Sequence, residues 1–188
     1  MIGYIVLAVI VLGVLWAFFT FNGLVRRRTM TQEGWSGIET QLKRRADLIP
    51  NLVETVKGYA SHERGTFDEI TKLRAAAQSQ ASGPADVAAR AETERQITAM
   101  IGKVMAVAEA YPELKASANF QQLQHDLAEV EDQIQLARRY YNGAVRDYNI
   151  MVQQAPSNLI AGVFGFKSAQ FFQIDDAADR ATPKVSFS

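Results

Sequence analysis

Residues 4–21 read YIVLAVIVLGVLWAFFTF, and how this stretch is read decides how the rest of the chain is read. No charged side chain occurs before Arg26. A helix needs about 20 apolar residues to cross the hydrocarbon core of a bilayer, and this run approaches that length. Twelve of its residues are Leu, Ile, Val or Phe. At roughly −0.4 kcal/mol each, they favour insertion by about 5 kcal/mol. A buried core helix would carry a polar face, and this one has none. A cleaved signal peptide would carry Lys or Arg ahead of its apolar core and small residues at its end. Here Met1-Ile2-Gly3 holds no basic side chain, and the far end reads Phe18-Phe19-Thr20-Phe21. The expectation is a retained transmembrane helix over residues 4–25, preceded by a short external tail, residues 1–3. Tyr4, Leu7, Ile10, Leu12, Leu15, Trp16 and Phe19 are its lipid-facing residues.

Charge gives the expected orientation. Arg26, Arg27 and Arg28, then Lys43-Arg44-Arg45, lie on the C-terminal side of the apolar run, and no Lys or Arg precedes it. The positive-inside rule then predicts the N-terminus outside and residues 26–154 in the cytoplasm. Arg26 to Arg28 fall at headgroup level, where each cation gains about 1 kcal/mol from anionic lipid. The 188 residues carry no net charge, which argues against a nucleic-acid partner. Cysteine is absent, so disulfides, thiolate metal sites and Cys nucleophiles are excluded.

Beyond the apolar run the pattern turns helical. Trp35, Ile38, Leu42, Arg45, Ile49, Leu52, Val56 and Tyr59 follow steps of three and four, which places them on one helix face. Thr29 or Thr31 is expected to cap its start. Pro50 removes a backbone donor in mid-helix and should kink or split it. Arg45 sits in the apolar stripe, where it either snorkels at the edge or pairs with a carboxylate beside the kink. The periodicity continues through Thr66, Ile70, Leu73 and Ala77, and SQASGP at 79–84 reads as a loop. A second helix is expected from Asp86 to Ala110, ended by Tyr111-Pro112. The third, from Ser117 to Gln153, carries the clearest ladder: Phe120, Leu123, Leu127, Val130, Ile134, Ala137, Tyr141, Ala144, Tyr148 and Met151. Leu136, Tyr140, Val145 and Ile150 widen its apolar face.

The expected fold is all-α: the transmembrane helix, then an antiparallel, coiled-coil-like bundle of three to four long helices. Residues 155–188 form an apolar, aromatic C-terminal segment and tail. Pro156 stops the third helix, and Leu159 to Phe166 is too short to span a membrane. This segment packs on the bundle, meets a partner or touches lipid; an up-down-up three-helix path would carry it away from the bilayer, unless a break at Pro50 changes the count. Tyr140, Tyr141, Leu159, Phe164, Phe166, Phe171 and Phe172 are the candidate contact residues for a second copy or a partner.

Chemistry was sought in the polar residues. A zinc-protease site needs a second His four residues after the first, but Thr66 follows His62-Glu63 at that spacing. A di-iron bundle needs Glu three residues before each His, and Tyr59 and Gln122 stand there. His125-Asp126 lies on the polar side of the third helix. Asp175, Asp176 and Asp179 read as a solvated acidic turn rather than a cation site. Gly162 and Gly165 do not make a phosphate loop. Arg138-Arg139 is a further basic pair. No catalytic, cofactor-binding or metal-binding residues are assigned, and no cofactor is expected.

Four stretches carry a resemblance: QLKRRADLIPNLVETVKGYASHE (41–63), YPELKASANFQQLQ (111–124), RRYYNGAVRDYN (138–149) and PSNLIAGVFGF (156–166). With them the chain resembles the LemA family of bacterial membrane proteins over nearly its whole length. The resemblance implies one N-terminal membrane helix with a short outside tail and a cytoplasmic antiparallel helical domain. It implies no enzymatic activity, since none is established for the family, and a relation to a magnetosome protein. Family members are found alongside membrane-bound zinc proteases and TPM-domain proteins. The family carries Phe before the proline of the last motif, where this chain has Ala155, so that contact is looser here. The expected function is a non-catalytic, self-associating scaffold at the cytoplasmic face of the bacterial inner membrane. The competing expectation is an adaptor or regulator of a membrane-bound protease. An enzymatic reading through His62 or Asp175 stands third.

Overall fold

The computed structural model describes residues 1–80 and 86–173. Among these the chain forms six helices and no strand: α1 (Ile2–Lys57), α2 (Arg64–Ser79), α3 (Val87–Glu109), α4 (Pro112–Lys115), α5 (Ala118–Gln153) and α6 (Ser157–Val163). The all-helical expectation holds, with a long apolar helix at the N-terminus.

Helix α1 departs from expectation in two places. It does not restart after the apolar run, and neither Thr29 nor Thr31 caps it. Their hydroxyls donate back to the carbonyls of Val25 and Arg28, at 3.1 and 2.7 Å. No proline lies between residue 2 and Pro50, so nothing interrupts the backbone ladder. Nor does Pro50 split the helix. The proline leaves the carbonyl of Ala46, four residues back, without its usual donor. The side chain of Arg74 supplies one: its Nε donates to the Ala46 oxygen at 2.8 Å. Helix α1 ends instead at Lys57–Gly58, so Tyr59 leaves the stripe and is 45 % exposed. The rest of that stripe, from Trp35 through Val56, is buried as predicted.

Replacing Arg74 with Ala should cost about 1–3 kcal/mol, because a half-buried carbonyl loses its only side-chain donor. In a Pro50→Ala background the restored N–H can serve that carbonyl, and the same change should cost about 1 kcal/mol or less. Denaturant unfolding of the four proteins of this cycle measures the difference.

Two compact units divide the chain. One gathers residues 1–45 and 128–171, the other residues 46–80 and 86–127. In the second unit, Ile49, Leu52, Val56, Phe67, Ile70, Ile97, Val104, Leu114 and Phe120 form a continuous apolar core. Helices α2 and α3 form its hairpin. The side chain of Gln80 donates to Thr93 Oγ1 at 2.8 Å, and Arg90 donates to the Ala77 carbonyl. Asp86 caps α3, its carboxylate accepting from the Ala89 amide at 3.2 Å. That start was readable; the buried acid eight residues later was not. Glu94 is 1 % exposed and pairs with Arg90 at 2.9 Å.

Candidate membrane-proximal site

In the first unit α1 and α5 run antiparallel. Gly23 faces Met151, Trp35 stacks edge-on against Tyr141 at 5.4 Å, and Arg45 reaches Glu131, so residue numbers fall on α5 as they rise on α1. The predicted α5 ladder supplies the inner face. Val130, Ile134, Tyr141, Ala144 and Tyr148 are buried, and so is Val145 beside them. Gly34 is required by this packing, since a Cβ there would stand 3.1 Å from the Tyr141 backbone.

The antiparallel return brings the C-terminal segment back to the end of the apolar run. This corrects the up-down-up expectation. The chain reverses after Gly58, between α2 and α3 and again after α3, so α5 runs back towards the apolar run. The ring of Phe21 lies 4.8 Å from that of Phe164 and 5.7 Å from that of Phe166. Ala161, Ile160 and Phe166 pack with Leu24, Tyr148 and Met151 in a small apolar cluster.

After α6 the chain runs as an extended strap along α5. Asn149 holds it with a reciprocal pair: its Nδ2 donates to the Ala169 carbonyl at 2.9 Å, and its Oδ1 accepts from the Ala169 amide at 2.8 Å. Gln153 donates to Ser168 Oγ at 3.0 Å, and the Tyr141 hydroxyl donates to the Gln170 carbonyl at 2.8 Å. These four bonds satisfy strap groups that would otherwise lack partners. Arg28, Thr31, Tyr148, Lys167 and Gln170 line a shallow polar pocket beside the strap. Burial pushes the Tyr141 phenol up to about 12 and raises that of Tyr148, which the nearby Arg28 partly opposes.

A phenol whose folded pKa lies above its unfolded value of about 10 stays neutral in the fold while the unfolded chain ionises. Stability is therefore unaffected below pH 10 and falls as pH rises from about 10 towards 12. Tyr141→Phe should cost about 1 kcal/mol at pH 8 through the lost hydrogen bond. Thermal melts at pH 8 and above 10 should show that deficit shrinking, because the variant lacks the group whose ionisation favours unfolding.

The predicted residues fall into distinct groups. Tyr4, Leu7, Ile10, Leu12, Leu15, Trp16 and Phe19 are all uncovered by the rest of the chain. Arg26 and Arg28 are exposed, and Arg27 lies 4.0 Å from Asp147. Of the contact candidates, Tyr140, Leu159, Phe164 and Phe171 are 43–65 % exposed, Phe166 is half-buried, and Tyr141 and Phe172 are fully buried. Tyr141 and Phe172 serve the chain's own packing. His62 and His125 are exposed, and among the described residues no three acidic or histidine side chains gather within reach of one metal ion. Asp175, Asp176 and Asp179 lie outside the described residues. Sequence reasoning missed Phe21, Glu131, Asn149 and Gln153. The signal for Asn149 was a polar residue within the widened apolar face, directly after Tyr148.

These features define a helical protein with one helix long and apolar enough to cross a membrane, whose C-terminal segment folds back beside that helix. The chain belongs to the LemA family, whose model matches residues 34–187. It is 27% identical over 188 residues to magnetosome protein MamQ 2 of Paramagnetospirillum magneticum, a match covering 88% of this chain and 68% of that one. It is 24% identical over 210 residues to magnetosome protein MamQ of Magnetospirillum gryphiswaldense, covering 96% and 77%. Protein LemA of Metamycoplasma hominis is 26% identical over 155 residues, covering 82% and 69%.

Proposed function

We propose that this chain is a single-pass inner-membrane protein with its N-terminus outside, whose cytoplasmic helical body works by contact rather than catalysis. It is a scaffold that self-associates in the plane of the membrane. The observation that carries the membrane part is an 18-residue apolar window of α1 of which no part is buried by the chain itself. Isolated in water, such a surface would drive aggregation; in lipid it needs no cover. Arg26 to Arg28 directly after it support the cytoplasmic placement of the body.

Self-association is supported by the outer side of α5. Leu136, Tyr140 and Ile150 are each about half exposed. At about 100° per residue they fall within one arc of the helix, on the side away from the buried ladder of Ile134, Tyr141 and Val145. Exposed apolar faces of this kind mark contacts. Anchoring restricts the protein to two dimensions, which raises effective concentration and lets weak lateral contacts act. The names of the related magnetosome proteins assign no chemistry.

The test is the mass of the purified full-length protein in detergent, measured by light scattering over a concentration series. A particle several subunits in size is expected, shrinking when Tyr140 and Ile150 are both changed to Ser. A monomer at the highest concentration overturns self-association. Crosslinking in native membranes that joins the chain mainly to a protease would replace the scaffold with an adaptor.

A further inference from the structure

We propose that α6 and the turn after it form a second membrane contact, lying in the bilayer interface beside the anchor with Leu159, Val163 and Phe164 in lipid. This rests on the membrane reading of α1 given above. Three observations carry it.

The first is depth. About 20 helical residues at 1.5 Å each cover the roughly 30 Å of the hydrocarbon core. A span that ends at Val25, the last residue before Arg26, places Phe21 about one helical turn inside its end. The Phe21 ring is the one that Phe164 and Phe166 touch, at 4.8 and 5.7 Å. The segment is therefore held at the level where hydrocarbon meets headgroups.

The second is sidedness. Ile160 and Ala161 turn inward onto Leu24 and Tyr148. Leu159, Val163 and Phe164 turn outward and are 65, 80 and 59 % exposed. Leu159 and Val163 are one helical turn apart and share a face. That face continues the uncovered apolar surface of α1 rather than standing alone on a polar surface.

The third is charge. Both segments change from aromatic to basic at the same level: Phe21 is followed by Arg26-Arg27-Arg28, and Phe166 by Lys167. Arg28 and Lys167 border the same pocket. An apolar face below aromatic rings, with cations above them, is the pattern of an element lying in an anionic membrane surface.

The absence of cysteine makes the test direct, since an introduced thiol is the only one in the chain. Full-length Val163→Cys, labelled with the fluorophore NBD, is reconstituted in phosphatidylcholine–phosphatidylglycerol vesicles. Its emission is challenged with lipids carrying a quencher near the headgroup, with lipids carrying it near the chain end, and with aqueous iodide. The shallow lipid quencher should reduce emission about twofold more than the deep one, with little loss to iodide. The label at Leu12→Cys should respond mainly to the deep quencher, and that at exposed Lys103→Cys mainly to iodide. A Val163 label open to iodide and untouched by lipid quenchers overturns the second contact while leaving the anchor intact. A label shielded from both means that protein covers the face; self-quenching that rises with protein density would identify a second copy, and the lipid contact is again overturned. If the Leu12 label is not quenched from within the bilayer, the anchor itself fails.

Discussion

Arginine at both Val9 and Leu12 should move the protein out of the membrane fraction. Each arginine near the centre of a spanning helix costs about 2.5–3.5 kcal/mol on the insertion scale, and two apolar contributions of roughly 0.4 kcal/mol are lost with them. The sum, about 6–8 kcal/mol, exceeds the roughly 5 kcal/mol that favours insertion of the native stretch. Val9 and Leu12 are 63 and 66 % exposed, in an apolar window that the chain leaves unburied, so the change acts on insertion rather than on the packing of α1 against α5. Fractionation after a carbonate wash measures it, because that wash also strips whatever hold α6 retains on the surface. A helical circular-dichroism spectrum in the soluble fraction would show that the body still folds. Retention of the double variant in washed membranes would remove the transmembrane reading.

The long apolar helix was readable because residues 4–21 combine length with unbroken apolar composition. The buried stripe of α1 and the ladder of α5 were readable for a related reason. Spacing of three and four survives whatever the helix packs against, so Ile38, Leu42, Val130 and Ile134 announced themselves. The start of α3 was legible within a residue, and the structure adds that the Asp86 carboxylate caps it. What failed depended on distant partners. Pro50 predicts a kink or a split from local chemistry; the helix is not split, and Arg74, 24 positions later, supplies a donor to the carbonyl that the proline leaves without one. The turn that does occur, after Lys57, is marked by nothing stronger than Gly58.

The path of the chain suffered most from that error. With a split at Pro50 or an uninterrupted α1, the number of reversals cannot be counted from sequence. The position of the C-terminal segment depends on that count. Three reversals, after Gly58, between α2 and α3 and again after α3, return α5 towards the apolar run and set Phe164 against Phe21. The candidate contact residues were chosen by apolarity, and apolarity does not say which way a side chain turns. Tyr141 and Tyr140 are adjacent in sequence, yet one is buried against Trp35 and the other is half exposed. Position within the ladder separates them: Tyr141 lies on its steps and Tyr140 between them.

The ion pair between Arg45 and Glu131 should be the most asymmetric in the protein. Arg45 Nη1 donates to Glu131 Oε2 at 2.9 Å, so of the two sequence readings the paired one holds. The arginine side chain is 2 % exposed and the glutamate side chain 37 %. Glu131 also accepts from Gln135 Nε2 at 3.1 Å, which fixes the carboxylate towards α1. Removing the negative charge takes from a buried cation its carboxylate on α5, whereas removing the cation leaves a carboxylate that water can reach. Glu131→Gln should therefore cost about 3 kcal/mol, near the lower end for breaking a buried pair. Arg45→Met replaces the stem by apolar atoms of similar length within an apolar stripe, and should cost under about 1 kcal/mol or even stabilise. Adding Glu131→Gln to Arg45→Met should then cost almost nothing further, so the cycle returns a coupling of about 2–3 kcal/mol. Denaturant unfolding followed through Trp35, which lies in the same unit against Tyr141, reports all four proteins. Equal costs for the two single changes would mean that the glutamate is as dependent on the pair as the arginine. The difference in burial would then not decide which partner matters.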